Sequence, residues 1–299
     1  MLNRNLFVLW LLSLSVLAVP SCQLIDRPEQ TPAWIQIDSI QLVDNPNANE
    51  GSLSQNITDG WVFINEEMVG IFELPATIPI LDEGQRRLLV GPGIKVSTIS
   101  TLRDNYLFFQ GHEQDVDLVP GETLRIEPVT RYRDPAGMYE YRLIDDFEDG
   151  LLNVETTEAS NAQIFRTTNP DFVYEGSGSG LLEINDTVTA VAIRTEDMQL
   201  PQRGKAVFLE MDYYTDYPLV IGLYVNNGQL RDQNIDYLTL NRLEEEGIRF
   251  RKAYVSLTST LAQAANPQSV YIYFAPDIGA NGGENGKVIL DNLKVMIEL

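Results

Sequence analysis

Along most of the chain, apolar and polar residues alternate in short runs, the period of strands that bury one face and wet the other. Trp34-Ile35-Gln36-Ile37-Asp38-Ser39-Ile40-Gln41-Leu42 follows this pattern, and the stretch 45–60, rich in Asn, Gly and Ser, breaks it as a loop. Trp61-Val62-Phe63-Ile64 and Met68-Val69-Gly70-Ile71-Phe72 flank Asn65-Glu66-Glu67, which predicts a hairpin with a short polar turn. Ile78-Pro79-Ile80-Leu81 and Gln85-Arg86-Arg87-Leu88-Leu89-Val90 meet across Asp82-Glu83-Gly84, and the stretch 116–126 repeats that scheme around Gly121. Recurring hairpin chemistry accounts for the echo.

The stretch 131–137 turns polar, with Asp134-Pro135 and Gly137, and marks a crossing into a second half. There the runs 180–184, 188–193, 206–213, 219–225, 237–240, 248–255, 269–274 and 288–296 are strand-like. Leu257, Leu261 and Ala265 alone have helical spacing, in one short piece closed by Asn266-Pro267. The pattern predicts an all-β chain of two β-sandwich domains, 34–130 and 143–299, with a linker at 131–142. The second domain is expected to fold alone.

Residues 1–33 follow another pattern. Arg4 precedes a largely apolar stretch at 6–19, the length of a signal peptide rather than of a spanning helix. It leads into Val19-Pro20-Ser21-Cys22, which resembles a bacterial lipobox, whose cysteine receives a diacylglycerol thioether and becomes the new N-terminus. The resemblance implies a lipoprotein signal peptide at 1–21, lipidation of Cys22, and a tether at 22–33 containing Pro28 and Pro32. Several acyl chains, at about 0.8 kcal/mol per buried methylene, would hold the protein at the outer membrane. Periplasmic and cell-surface sides both stay open, the surface being favoured.

Composition narrows the chemistry. With 44% hydrophobic residues among 299, the chain can bury cores of this size. Its 21 basic and 43 acidic side chains leave a net charge of -22, which excludes nucleic acid as a partner. One Cys and one His exclude a zinc site of Cys and His ligands, a disulfide framework and a Cys-His pair. Serine hydrolysis would depend on His112, and no Ser stands in a nucleophile turn. The glycine-serine run Gly176-Ser177-Gly178-Ser179-Gly180 precedes a strand rather than a helix, which argues against a phosphate loop.

Two further resemblances concern the sandwiches. The order of strand, acidic turn, glycine-bearing strand, Leu74-Pro75, strand, Glu83-Gly84 and strand resembles PEGA-type and carboxypeptidase-regulatory-like β-sandwiches, with Asn65-Glu66-Glu67 where that family usually has Asp-Gly. Asp146-Phe147-Glu148, the turn Tyr174-Glu175-Gly176-Ser177-Gly178-Ser179-Gly180 and Val288-Ile289-Leu290-Asp291-Asn292-Leu293 together resemble the galactose-binding-like jelly roll of many carbohydrate-binding modules. Such a pair behind a lipobox is similar to surface lipoproteins of the Bacteroidota. The jelly-roll resemblance implies a structural calcium on Asp146, Glu148 and Asp291, and a glycan as ligand. Sugar stacking needs aromatic faces beside amides. Tyr213, Tyr214, Tyr217, Tyr224 and Tyr237 with Asn226 and Asn227 are the candidates, and Tyr271 and Tyr273 add further rings. The expected protein is non-catalytic. Two alternatives stand beside it: an accessory subunit of an outer-membrane complex that binds an envelope protein, and a glycoside hydrolase using a carboxylate pair.

Overall fold

A computed structural model of the chain describes residues 29–299 apart from 202–203, 227–232, 243–246, 264–267 and 280–282. The lipobox, Cys22 and Asn227 lie outside the described residues. Among these, no helix is long and apolar enough to cross a membrane.

The first sandwich begins with β1 (Ala33–Ile37), β2 (Gln41–Leu42), β3 (Asp59–Ile64), β4 (Glu67–Glu73) and β5 (Ala76–Ile80). It continues through β6 (Gly84–Lys95), β7 (Arg103–Asn105), β8 (His112–Leu118), β9 (Thr123–Ile126) and β10 (Val129–Thr130). One layer has the order β5-β1-β9 with β2 and β10 paired beyond it; the other has β4-β3-β6-β7, with β8 also on β6. Alternation places Ile35 and Ile37 of β1, Ile78 and Ile80 of β5, Val62 and Ile64 of β3, and Leu88 and Val90 of β6 in one core. The expected hairpin joins β3 to β4, and Asn65 and Glu66 take φ of 49° and 70°, the left-handed pair that a two-residue turn requires. Asn65 Oδ1 also accepts a hydrogen bond from the Arg87 backbone N–H at 3.0 Å. The two glycine turns are not hairpins. β5 and β9 lie in one layer while β6 and β8 lie in the other, so the turns at Gly84 and Gly121 are arches across the core. Side-chain alternation cannot tell an arch from a hairpin, because both bury the same face.

The second sandwich begins with β11 (Tyr139–Asp145), β12 (Val154–Thr156), β13 (Ile164–Thr167), β14 (Ser179–Ile184), β15 (Ile193–Thr195) and β16 (Val207–Thr215). It closes with β17 (Leu219–Asn226), β18 (Gln233–Leu240), β19 (Arg251–Ser256), helix α1 (Thr258–Gln263), β20 (Ser269–Pro276) and β21 (Gly286–Glu298). A six-stranded sheet has the order β13-β14-β21-β16-β19 with β11 also on β21, and a five-stranded sheet has β12-β15-β20-β17-β18. Leu182, Leu209, Met211, Val255, Leu290 and Val295 from the first sheet meet Ile193, Ile221, Leu223, Ile272 and Phe274 from the second. The chain is thus all-β, two sandwiches in sequence, antiparallel in the second and mixed in the first, where β1 pairs with β9 and β2 with β10 in parallel.

The predicted linker is mostly structure. Tyr132 bridges to Phe109 of the first sandwich, and β11 starts at Tyr139, inside the stretch assigned to the crossing. Tyr132 and Tyr139 are both buried because the sandwiches pack closely against each other. Val96, just past β6, makes one isolated parallel bridge to Tyr254 of β19, a single backbone contact between the sandwiches.

Candidate binding face and the interdomain seam

The two sheets of the second sandwich differ in what lies on their outer faces. The six-stranded sheet turns Phe208, Tyr254, Met296 and Tyr139 outward, against Tyr106, Phe108, Phe109 and Tyr132 of the first sandwich. Tyr106 stands at the centre, edge-on to Phe109, Phe208 and Tyr254 with ring centroids 4.9, 5.3 and 5.0 Å away.

A buried polar network runs through this aromatic seam. Strand β16 alternates apolar residues toward the core with Phe208, Glu210 and Asp212 toward the seam. Glu210 is fully buried; Tyr106 and Tyr132 donate their hydroxyls to its two oxygens at 2.7 and 2.8 Å. Lys294 donates to Tyr132 Oη at 3.2 Å and to the Ser52 carbonyl at 2.7 Å. Lys252 Nζ lies 3.4 Å from Glu210 and 3.6 Å from Asp212. Burial pushes the Glu210 carboxyl up, but the two ammonium groups and the two phenols outweigh it and hold it below the ordinary range. Burial likewise draws the Lys294 ammonium down to about 8 against the pull of Glu210. A β-bulge opposite Glu210 and Asp212 lets both Asp291 and Asn292 face this side, with Asn292 at a φ of 48°. Asn292 donates to Asp212 at 3.0 Å, and Ser179 donates to Asp291 at 2.6 Å. Sequence reading passed over Glu210, Lys252 and Lys294. The available signal was a set of charged residues spaced by two within strands otherwise apolar on both faces.

The three residues assigned to calcium are not brought together as a ligand set. Asp146 accepts the Glu148 backbone N–H, a local turn contact. The Glu148 carboxylate takes the Ser177 N–H and hydroxyl and the Gly178 N–H, and these bonds, the Ser177 hydroxyl first, hold its pKa below the ordinary value. Asp291 is buried on Ser179 and the Asn292 N–H. Among the described residues, no group of three or more Asp, Glu, His or Cys side chains is arranged to hold a metal ion. Asp146 and Glu148 do line one cavity, with Glu175 and Asn292, and Asp291 is not among its lining residues. The glycine-serine turn does have the anion-binding backbone of a nest, and its anion is Glu148 of the same chain. His112 is a structural residue: Nδ1 accepts the Val129 N–H at 3.2 Å and Nε2 meets Gln114 at 3.0 Å.

The outer face of the five-stranded sheet is different. Along it Glu155 and Thr239 are exposed, Val220, Tyr224, Asn226 and Tyr271 are half-buried, and Tyr273 is buried. Tyr224 of β17 and Tyr271 of β20 are direct cross-strand partners, and their rings stack with centroids 4.7 Å apart and planes 5° from parallel. The Arg194 guanidinium of β15 lies 5.0 Å from the Tyr271 centroid and is held by the Glu155 carboxylate at 2.6 Å. Beside them Tyr273 fills the space over Gly222, where a Cβ would come within 2.2 Å of its ring. Any side chain at 222 would displace that ring.

Of the described candidate ligand residues, Tyr224 and Asn226 occupy this face, with the further rings Tyr271 and Tyr273 beside them. Tyr213 packs in the sandwich core, where burial raises its pKa. Tyr214 lies on the opposite sheet, is pushed up to about 12 by burial, and donates to Asp216 at 2.6 Å. Tyr217 covers Gly283 and Gly286 and donates to the Glu284 carbonyl. Tyr237 meets Ser97 of the first sandwich at 3.1 Å. Arg194, Glu155 and Gly222 were missed; which strands become neighbours of β20 is a tertiary fact without a local signal.

Neither models of known families nor curated proteins match the sequence. Among solved structures, the chain is similar to the CBM22-1 xylan-binding domain from Paenibacillus barcinonensis Xyn10C, with 10% identity over 54% of this chain and 96% of that one and a TM-score of 0.40. The C-terminal family 22 carbohydrate-binding module of Clostridium thermocellum Xyn10B aligns at 12% identity over 53% of this chain and 92% of that one, with a TM-score of 0.38. A family 11 module from Clostridium thermocellum, in complex with a β-1,3-1,4-mixed-linked tetrasaccharide, aligns at 12% identity over 53% and 95%, with a TM-score of 0.35.

Proposed function

We propose that this chain is a non-catalytic, lipid-anchored protein of the cell envelope that binds carbohydrate on the outer face of the five-stranded sheet. The carrying observation is the row Arg194, Tyr271 and Tyr224 across β15, β20 and β17, a cation and two stacked, half-buried rings on the outer face of the sheet opposite the one packed on the first sandwich. Rings supply apolar surface for sugar C–H faces, and the guanidinium, Asn226 and Glu155 supply polar groups for hydroxyls. One shallow face predicts weak binding, strengthened by many copies on one membrane.

A glycan array on the whole chain, followed by calorimetry on each hit, tests the reading. Tyr271→Ala is expected to lower affinity about tenfold, since an aromatic contact is worth about 0.5–1.5 kcal/mol and its loss also releases Tyr224 and Arg194. Unchanged affinity would move the site elsewhere. Incubating each hit and analysing products tests the hydrolase alternative, with released sugar lost on changing one carboxylate as the outcome in its favour.

The anchor has its own test. Cys22→Ala is expected to leave the protein unprocessed or to release it from the membrane fraction, whereas a processed, membrane-bound variant would refute the lipobox. Protease shaving of intact cells would distinguish the surface side from the periplasmic side. A protein partner is the second reading, favoured by the edge strand β4, which exposes Met68, Val69 and Ile71 beside its unpaired backbone.

A further inference from the structure

The end of the first sandwich where the chain enters carries an apolar rim. Two arches cross the core there, 81–83 from β5 to β6 and 119–122 from β8 to β9, and they lie side by side because Gly84 pairs with Leu118. In the other layer they flank β1, with Ala33 opposite Ile80 and Trp34 opposite Thr123. Residues 29–32 therefore emerge between the arch tips. The Gly121 N–H donates to the Pro32 carbonyl at 2.9 Å, and Gln30 and Thr31 share a cavity with Leu81 and Pro120. Leu81 is 67% exposed, the highest value among the large apolar side chains described, and Val119 is 41% exposed. Trp34 is half-buried and shares a hollow with Val119.

A lipid on Cys22 decides what this rim meets. Cys22 and Glu29 are seven residues apart, a reach of at most about 25 Å at about 3.6 Å per residue. A diacylglycerol on Cys22 thus confines the arches to the neighbourhood of the bilayer and raises their effective concentration at its surface. Acidic side chains stand around the tips: Asp82, Glu83, Asp117 and Glu122, with Arg86 beside them held by Asp82 at 2.5 Å. An anionic lipid surface is repelled by that arrangement, and a zwitterionic one is not.

We propose that the arch tips are a membrane-docking surface, with Leu81, Val119 and Pro120 entering the headgroup region of a zwitterionic phospholipid bilayer and Trp34 lying at its level. Resting on the lipid anchor proposed at Cys22, the surface adds a second, orienting contact. Leucine and valine side chains gain by leaving water, and an indole suits the interface, being apolar in its body with one N–H. The surface is small, so it docks a chain that is already anchored and leaves an unlipidated one in solution. Its consequence is orientation. Strand β6 runs from the arch for 12 residues, about 40 Å at about 3.3 Å per residue, to Val96 and its bridge with Tyr254 of the second sandwich. Docked arches therefore hold the second sandwich, and the tyrosine row on it, away from the bilayer.

Fluorescence quenching of the lipidated full chain in vesicles of phosphatidylethanolamine and phosphatidylcholine, brominated near the headgroup end of the acyl chains, tests the docking. Trp10 belongs to the signal peptide, so the processed chain keeps Trp34 and Trp61. Trp61 pairs with Gly91, seven residues or about 23 Å along β6 from the arch. Trp61→Phe, which reports Trp34 alone, is expected to lose about half its emission, and Trp34→Phe, which reports Trp61, to lose little. Leu81→Glu and Val119→Glu, each at an exposed position and placed in the Trp61→Phe chain, should remove most of that quenching. Replacing half the lipid by phosphatidylglycerol should weaken it at low salt. Vesicle flotation separates the two readings. A chain that carries no lipid and fails to float overturns the anchor and the docking together. An anchored chain whose Trp34 is unquenched, or is quenched equally with either glutamate in place, overturns the docking alone.

Discussion

Glu210→Ala is expected to lower the unfolding free energy by about 3–5 kcal/mol, the usual effect of removing one partner from a buried ion pair. Two phenols lose their acceptor at once, and Lys252 and Lys294 lose the carboxylate that offsets their burial. Glu210→Gln should cost less, because a carbonyl oxygen still accepts from one phenol while the charge alone is lost. Since Glu210 belongs to the second sandwich and both phenols to the first, the loss should also loosen the seam. Urea unfolding followed by tyrosine and tryptophan fluorescence reads both effects: the midpoint falls, and a single transition becomes two. A change below about 1 kcal/mol with one transition retained would mean that the aromatic packing of Tyr106, Phe208 and Tyr254 alone holds the sandwiches together.

This seam divides what the sequence made legible from what it did not. Period-2 alternation located the strands, since each buries one face on a core made by its own sandwich, as Ile35 and Ile37 do. The same rule fails where both faces are buried. Residues 207–213 lie between a sandwich core and a second domain, so Glu210 and Asp212 read as interruptions of an apolar run rather than as members of a polar seam. The arches at Gly84 and Gly121 were illegible for a related reason: sheet membership depends on pairing partners distant in sequence. Tyrosine positions were equally ambiguous. Tyr213 and Tyr224 both sit in strands among aliphatic residues, and only the placement of sheets puts one in a core and the other on the outer face of a sheet.

Asp291→Asn is expected to stabilise the chain at alkaline pH and to leave it unchanged under acid. Burial, opposed by the Ser179 hydroxyl, pushes the folded-state carboxyl up to about 7, against about 3.9 in an unfolded chain. A raised carboxyl pKa means that the folded state keeps a proton which the unfolded state has lost. Stability therefore falls as pH rises from about 4 to about 7, and the full cost is present above 7. The replacement amide carries no charge at any pH and its oxygen still accepts from the Asn292 N–H, while the Ser179 hydroxyl can turn to accept from its NH₂ group. Each tenfold difference between the folded and unfolded acid constants is worth about 1.4 kcal/mol, so a gain of at least that size is expected at pH 8, shrinking to nothing near pH 4. Lys294, drawn down to about 8, works in the opposite sense: its burial cost is present below 8 and is relieved as pH climbs toward the ordinary lysine range. That rise is common to both proteins and cancels in their difference. Paired urea titrations across pH 4–8 measure the difference directly, and parallel curves would show that Asp291 is ionised and well solvated in the folded chain.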